Sequence, residues 1–345
     1  MHQYAILFNP GHNRVYFEES KRLSLAELRA ALPNIQLDER IEEICGIPYL
    51  LFQMEEALTS RELSVLPRLS FVYAAFELVR AEGQVMFQPL ERGFEYYLDP
   101  GLSSLLKYSG KTNELFTRMM INLALFASDF AEESQIQLLD PVAGKGTALL
   151  EGLSLGYDVS GIEIGEKAAN EACCCLKRYL EEHKLKHTQK SEKISGPNKI
   201  YTAARQSFSI ARTKEEQKDG KIRSFTMVTG NSALADQFFP KKSFHLIIGD
   251  LPYGIQHGNV TNQRQTSLTR NPKELLQACL PGWRNVLMSG GAVALAWNRN
   301  VLPRGEMETL LEGAGFSIPE GDPNSLVHRV DQSILRDVVV ARREK

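Results

Sequence analysis

A regular alternation of short apolar runs and longer amphipathic stretches, from residue 113 onward, most constrains the fold of this chain. Short apolar runs are typical of strands buried on both faces, and amphipathic stretches are typical of helices that cover a sheet. Strands that alternate with helices predict an α/β fold with a mainly parallel, doubly wound, Rossmann-like sheet. The predicted strands are 136–139, 158–164, 225–229, 244–249, 292–297, 316–318 and 335–340, and the predicted helices are 113–128, 147–155, 166–183, 272–287 and 307–313.

Residues 1–100 follow a different order. Ser24 and Glu27 form a capping-box pattern that predicts the start of a helix. The predicted elements are strands 4–8 (with 15–17 as an addition), 47–52 and 71–78, helices 24–32 and 60–66, and a hairpin of 85–90 with 93–98. This order predicts a small ferredoxin-like α+β domain. The turn-forming Asp99-Pro100-Gly101 divides the chain into predicted domains 1–100 and 101–345.

Composition is that of an ordinary globular protein. Hydrophobic residues make up 43% and charged residues 24% of the 345 residues, and the formal net charge is −2. No apolar run is long enough to span a bilayer and no secretory signal is recognisable, so we expect a cytoplasmic protein without membrane contact. Cys173, Cys174 and Cys175 are consecutive, which fits neither a disulfide framework nor a zinc site, and we expect no metal.

The segment from about 184 to 224 interrupts the alternation, because it is polar and has almost no apolar periodicity. Residues 177–223 contain thirteen basic and six acidic side chains, a net charge of +7. A long segment of this composition within a compact domain is either a flexible, solvated insertion or a basic arm that contacts phosphates.

The loop after the first strand of the sheet has the sequence Asp-Pro-Val-Ala-Gly-Lys-Gly-Thr, residues 140–147. Gly144 and Gly146, which follow Ala143, allow a tight turn and a close approach of the backbone to a ligand. The helix that opens at Thr147 favours a carboxylate at its N-terminus, whereas Asp140 can accept hydrogen bonds from an ammonium group. The loop therefore predicts a site for a methionine-like zwitterion.

The ends of the next two strands carry polar residues of a complementary kind. Glu163 can accept hydrogen bonds from both hydroxyls of a ribose, and Asn231, followed by Ser232, can both donate to and accept from an adenine edge. A methionine end, a ribose and an adenine together describe S-adenosyl-L-methionine, which we predict as the cofactor.

Three other interpretations explain the loop less well. A phosphate loop requires glycine at position 140, which is Asp, and a dinucleotide loop requires glycine or alanine at position 149, which is Leu. A purely structural turn would explain the two glycines, but not the acid and the amide on the neighbouring strand ends.

Asp250-Leu251-Pro252-Tyr253 ends the fourth predicted strand of the sheet, so it should face the same crevice. The carboxylate of Asp250 and the carbonyl of Leu251 could accept both N–H groups of an exocyclic amine. Pro252 would stiffen the turn, and Tyr253 would stack on the base. Methylation of a nucleobase amine is the chemistry that this arrangement predicts.

These residues resemble the amino-methyltransferase signature [Asp/Asn]-Pro-Pro-[Tyr/Phe]. With Leu251 and Gly254 they are more similar to the Asp-x-Pro-[Phe/Tyr]-Gly form of the THUMP-associated tRNA guanine-N2 methyltransferases. Residues 107–114 and 328–334 are similar to the segment before the donor loop and to the closing segment of that family. The resemblance implies a class I methyltransferase fold over about 95–345 and places Thr112 beside the methionine moiety. A complete THUMP domain is not recognisable in residues 1–100.

We therefore predict a methyltransferase that acts on guanine N2 of tRNA or another structured RNA, with the N-terminal domain as a candidate RNA-binding unit. Two alternatives remain open: an adenine-N6 methyltransferase that acts on DNA or RNA, and a catalytically idle RNA-binding subunit. Peripheral candidates are the loop 256–270, with Arg264 and Arg270, and Asn298 at the end of the fifth strand, whereas Trp297 is expected in the core.

Overall fold

The computed structural model describes residues 1–33, 35–81, 84–108, 110–196, 201–254, 271–322 and 324–344. The chain forms two compact units. The first comprises Met1–Glu95 and Asp322–Val330, and the second comprises Tyr96–Gly321 and Asp331–Lys345.

The first unit contains an antiparallel sheet with the strand order β2-β3-β1-β4-β5. Its elements are β1 (His2–Phe8), α1 (Arg14–Ala31), β2 (Gln36–Ile44), β3 (Ile47–Met54), α2 (Ser60–Val65), β4 (Val72–Ala81) and β5 (Gln84–Pro89). The first four strands and the two helices follow the β-α-β-β-α-β order of a ferredoxin-like module, as predicted, and β5 adds a fifth strand.

Three predictions for this unit were wrong in detail. Residues 15–17 lie in α1, which begins at Arg14 because the side chain of Asn13 accepts a hydrogen bond from the backbone N–H of Tyr16, 3.0 Å away. Ser24 is therefore inside the helix and donates to the carbonyl of Lys21 instead of capping it. β2 was not predicted, and β5 pairs with β4 and not with residues 93–98, which form no strand.

The sheet of the first unit is strongly curled. The rings of Tyr49 on β3 and Phe87 on β5 lie 4.9 Å apart, although β1 and β4 separate their strands. A flat sheet would hold these strands three spacings of about 4.8 Å apart. On the face that carries these two rings, the curl encloses a small core of Ala5, Leu51 and Leu78.

The second unit contains the predicted doubly wound sheet, which confirms the fold class. Along its strands the order is β14-β12-β11-β6-β7-β10-β9-β8. The remaining elements of the chain are α3 (Glu114–Ala127), β6 (Gln137–Asp140), α4 (Thr147–Ser154), β7 (Asp158–Glu163), α5 (Glu166–Glu182), β8 (Lys186–Ser195), β9 (Thr202–Ala211), α6 (Lys214–Lys218), β10 (Arg223–Thr229), α7 (Ala235–Phe238), β11 (Phe244–Asp250), α8 (Pro272–Val286), β12 (Leu287–Asn298), α9 (Arg304–Gly313), β13 (His328–Arg329, in the first unit) and β14 (Leu335–Arg342).

The middle strands of this sheet, from β12 to β10, are parallel, and β14 and β9 pair antiparallel at either side. The predicted strand 316–318 is reduced to a single bridge between Ser317 and Arg342. No helix in the described parts of the chain combines the length and apolar character needed to cross a bilayer.

The segment of about 184–224, for which the sequence left a flexible insertion and a basic arm open, contains regular secondary structure where the structure describes it. β8 and β9 form a hairpin that extends the sheet beside β10, and α6 follows it. Phe208 of β9 is buried and packs edge-on against Phe225 of β10, with ring centroids 5.9 Å apart. β8 contributes almost no buried side chain, since it is an edge strand, and its polar sequence therefore gave no signal.

Candidate active site

Four parallel strands end at one edge of the sheet in the second unit, at Asp140, Glu163, Thr229 and Asp250. Two adjoining cavities lie there. The first, of about 390 Å³, is lined by the predicted residues Thr112, Asp140, Ala143, Gly144, Thr147 and 250–253. The second, of about 360 Å³, is lined by Glu163, Asn231 and Ser232. Val142, Asp250 and Pro252 line both. The structure thus brings the predicted donor and acceptor residues together.

The loop between β6 and α4 has the tight geometry that its glycines predict. Gly144 and Gly146 have φ values of 52° and 83°, in the left-handed region. The backbone N–H of Gly146 donates to the carbonyl of Ala143 over 2.7 Å. Gly146 caps α4 but lacks a side chain to accept from the first N–H groups of the helix. Those groups can therefore bind a carboxylate, which fits the acid end of the predicted cofactor.

Gly161 on β7 packs directly against this loop and against the first turn of α4. A Cβ atom at this position would lie 2.6 Å from Cδ1 of Leu149 and 2.9 Å from Cβ of Ala143. The side chain of Leu149 can turn away, but Cβ of Ala143 is fixed to the backbone, so Gly161→Ala must displace the loop. We expect the variant to weaken binding of S-adenosylhomocysteine by roughly tenfold or more, since overpacking typically costs about 1–3 kcal/mol. Isothermal titration calorimetry measures this change.

Gly313→Ala is the matched control for Gly161→Ala, because a Cβ atom at the end of α9 meets nothing within 4 Å. It should leave the affinity unchanged. Equal affinities of the two variants would contradict the contact between Gly161 and the loop.

Asp140 and Glu163 are the two acids predicted to bind the cofactor, and they line the first and the second cavity respectively. Burial, with the nearby charges of Asp250 and Glu163, raises the pKa of Asp140 to about 8. Burial also raises the pKa of Glu163, against hydrogen bonds from the backbone N–H groups of Gly165 and Gly144 at 2.6 and 2.8 Å. Glu163 thus ties the donor loop to the start of α5. The backbone N–H of Ile164 also hydrogen-bonds to this carboxylate, so three of its roughly four acceptor sites are in use and about one is left for a ribose hydroxyl.

Asn231 and Ser232 are more engaged in local structure than the sequence indicates. The side-chain oxygen of Asn231 accepts from the N–H of Ala233 at 3.0 Å and caps a short 3₁₀ turn. The exposed amide N–H₂ of Asn231 remains for an adenine edge. Ser232 is buried, and its hydroxyl accepts from the indole N–H of Trp283 at 3.0 Å. Ser232 therefore shapes the cavity wall and holds α8 with its side chain.

Tyr108 and Lys145 line the first cavity and were not predicted as site residues. The ammonium of Lys145 lies 4.3 Å from the centre of the Tyr108 ring and 2.5 Å from a carboxylate oxygen of Glu171. Burial raises the pKa of Tyr108, and the hydroxyl is hydrogen-bonded to Thr147. Lys145 lies within the predicted loop, but its contact with the ring of Tyr108 is seen only in the structure.

Asp250 receives two hydroxyl groups. Thr112 donates to Oδ2, and Tyr253 donates to Oδ1 at 2.5 Å. Thr112 lines the same cavity as Asp140, and its hydroxyl is bonded to Asp250. The side chain of Leu251 is buried in the core and its N–H donates to the carbonyl of Ala296 at 2.8 Å, so its carbonyl is the group left for a substrate.

Asn298 and Trp297 are both buried. Asn298 Nδ2 lies 3.4 Å from the carbonyl of Tyr253 and 3.2 Å from that of Ser333. Asn298 therefore supports residues 250–254, which we call the acceptor loop, and does not line either cavity. The predicted loop 256–270, with Arg264 and Arg270, lies outside the described residues. Within the described parts of the chain, no group of three or more His, Cys, Asp or Glu side chains could hold a metal ion.

The family described as the RMKL-like methyltransferase domain matches residues 113–300, more than half of the chain. No curated protein sequence matches significantly.

Three solved structures illustrate the likeness in fold. TrmN from Thermus thermophilus has 14% identity and a TM-score of 0.43, over 99% of this chain and 100% of that one. An rRNA methylase from Streptococcus thermophilus has 12% identity and a TM-score of 0.33, over 64% of this chain and 92% of that one. The 1,6-didemethyltoxoflavin-N1-methyltransferase from Burkholderia thailandensis, with bound S-adenosylhomocysteine, has 14% identity and a TM-score of 0.34, over 63% and 75%. This chain belongs to the RMKL-like methyltransferase domain family, and its methyl donor is S-adenosyl-L-methionine.

Proposed function

We propose that the protein transfers a methyl group to an exocyclic amine of a nucleobase in RNA, with guanine N2 of tRNA as the first candidate. The observation that supports this proposal is the position of Asp250, which lines both cavities. The first cavity is lined by the residues predicted for the methionine end, and the second by those predicted for the ribose and adenine. A carboxylate at this junction lies where the transferred methyl group would meet its acceptor.

The acceptor residues are suited to an amine. An aromatic amine is a poor nucleophile, because its lone pair is delocalised into the ring. One oxygen of Asp250 and the carbonyl of Leu251 would accept its two N–H groups and favour a pyramidal nitrogen with a localised lone pair. Asp250 already accepts from Thr112 and Tyr253, but a carboxylate offers about four acceptor sites, so the amine does not have to displace either hydroxyl.

The transfer itself requires little acid–base chemistry. S-adenosylmethionine supplies a methyl group already activated by its positive sulfur. The amine nitrogen forms a bond to the methyl carbon while the carbon–sulfur bond breaks and its electron pair stays on sulfur. The nitrogen then loses one proton to Asp250 or to water. The residues of this chain contribute in-line positioning and a negative charge beside the amine as it becomes cationic.

RNA is proposed from the resemblance of residues 250–254 and 107–114 to the THUMP-associated tRNA methyltransferases. A base in folded RNA must be splayed out of its stack to reach the crevice. The ferredoxin-like unit remains the candidate RNA-binding part of the chain. On β8, Lys190 and Lys193 are exposed, and Lys190 is paired with Glu192 at 2.6 Å. These two are among the exposed lysines of residues 184–224, which could contact phosphates.

Transfer of label to separate nucleic-acid pools tests the proposal. Total tRNA, rRNA and DNA are incubated with the protein and labelled S-adenosylmethionine, and the nucleosides are separated after digestion. We expect label in N2-methylguanosine from tRNA. Label in N6-methyladenine would overturn guanine as the target, and label only in DNA would overturn RNA. No transfer to any pool, with intact binding of S-adenosylhomocysteine, would favour the idle RNA-binding subunit.

A further inference from the structure

Tyr253 is held from several sides in the acceptor loop. Its hydroxyl donates to Oδ1 of Asp250, and its backbone carbonyl lies 3.4 Å from Nδ2 of Asn298. Burial and the neighbouring charge of Asp250 raise its pKa well above the ordinary value, so the hydroxyl stays protonated and remains a donor. A side chain fixed in this way is poorly suited to swing out and stack on an incoming base.

Arg336 on β14 is the residue that fixes the ring of Tyr253. Only 6% of Arg336 is exposed, and the centre of its guanidinium lies 5.2 Å from the ring centroid of Tyr253. Arg336 is also hydrogen-bonded to the Tyr253 hydroxyl. A buried guanidinium that both stacks on a tyrosine and bonds to its hydroxyl restricts that ring to one position.

The same guanidinium lies 4.5 Å from the ring centroid of Phe116 at the start of α3. Thr112, the second hydroxyl donor to Asp250, directly precedes the cap of this helix. Arg336 therefore contacts the two elements that present the hydroxyls to the carboxylate. No part of Arg336 has to touch the substrate for this effect.

We propose that Arg336 is a positioning residue that acts through Tyr253 to hold the Asp250 carboxylate toward the methyl-transfer point. This inference deepens the proposed function and rests on it. Tyr253 is then a brace for Asp250 and not the surface on which the base stacks. The brace uses one lone pair on each carboxylate oxygen and leaves the others for the amine.

Two ligands make the proposal testable without knowing the RNA. Sinefungin carries a protonated amine where S-adenosylmethionine carries its methyl group, whereas S-adenosylhomocysteine carries nothing there. The ratio of their dissociation constants reports how well Asp250 is aimed at the transfer point. The constants are measured by calorimetry for wild type, Tyr253→Phe, Arg336→Met, the double variant and Asp250→Ala.

The brace predicts that Tyr253→Phe and Arg336→Met each lower the preference for sinefungin by about tenfold, a typical effect of one hydrogen bond to a charged group. The affinity for S-adenosylhomocysteine should change less than about twofold. Since Arg336 acts through Tyr253, Arg336→Met should change the preference less than about twofold in the Tyr253→Phe background. Arg342→Met, at the far end of β14 and paired with Asp129 at 2.6 Å, should change neither constant.

Several results would overturn the brace. A stronger preference for sinefungin in Tyr253→Phe would mean that the hydroxyl competes with the amine and acts as a gate. A stronger preference in Arg336→Met, or an equal effect of Arg336→Met in both backgrounds, would mean that Arg336 acts by its charge alone.

Asp250→Ala separates this inference from the proposed function. If the preference survives in Asp250→Ala, Asp250 does not face the transfer point and the proposed function itself fails. If the preference disappears in Asp250→Ala but is unaltered in Arg336→Met, only the brace fails.

Discussion

Asp250→Ala is expected to reduce methyl transfer at least about a hundredfold while the affinity for S-adenosylhomocysteine stays nearly unchanged. The charge of Asp250 matters most when the acceptor nitrogen becomes positive, and loss of one preorganised group that stabilises charge at this stage typically costs two to three orders of magnitude, or about 3–4 kcal/mol. Asp250 is one of many residues that line the two cavities, so in this variant the others are left to hold the cofactor.

Asp250→Asn sharpens this prediction, because it preserves the shape of the side chain. An amide would present one oxygen and one N–H₂ group, so it could not accept from Thr112, from Tyr253 and from the amine in the same arrangement. We expect a loss of transfer close to that of Asp250→Ala. Single-turnover rates with saturating labelled donor measure this loss separately from binding.

Asp219→Ala is the control for removal of a carboxylate. Asp219 is largely exposed and its nearest cation, Lys221, is 3.6 Å away. This variant should transfer methyl groups at the wild-type rate. Asp250→Ala with a normal rate, or with a rate that falls only as far as donor binding falls, would show that Asp250 belongs to the cofactor site.

The fold of the second unit could be predicted because its central strands are buried on both faces. Residues 246–248 of β11 and 292–297 of β12 are continuous apolar runs, which is the pattern of a strand covered on both faces. The hairpin β8–β9 could not be predicted in the same way. β8 is polar along its length, and only pairing with β9 makes it a strand. An edge strand of this kind is held by backbone hydrogen bonds and buries no side chain, so its sequence has no apolar pattern by which to recognise it.

The candidate site shows the same limit at the level of single side chains. The acids at the strand ends could be predicted, since the parallel sheet itself gathers Asp140, Glu163 and Asp250 at one edge. What these acids are bonded to could not be predicted, because their partners come from distant parts of the chain. Arg336 reaches Tyr253 from a strand 83 positions later, and nothing in its local sequence indicates that contact.

Asp140→Asn is expected to stabilise the cofactor-free protein, by an amount that grows with pH. Burial raises the pKa of Asp140 from its ordinary value of 3.8 to about 8. Between these two values the folded protein holds a proton that the unfolded chain has lost. The stabilising contribution of the neutral group is thus fully present below about pH 4 and is lost as the pH rises to about 8.

The asparagine mimics the neutral form, and its oxygen can still accept from the N–H of Val142, now at 3.0 Å. The difference in melting temperature between Asp140→Asn and wild type should be small near pH 4 and should reach several degrees near pH 8. Thermal unfolding without cofactor across this range measures it. A variant that melts below wild type at pH 8 would mean that ionised Asp140 has a stabilising partner in the free protein.

Cofactor binding should show the opposite dependence, because an ammonium group pairs with ionised Asp140 only. Below about pH 8, binding of S-adenosylhomocysteine must first remove the proton, so affinity should rise by up to about tenfold per pH unit from pH 6 to 8. Calorimetry in two buffers of different ionisation enthalpy should detect release of up to one proton. In Asp140→Asn the affinity should be lower and flat over this range. If the affinity of wild type is also independent of pH over this range, the ammonium group of the ligand does not pair with Asp140.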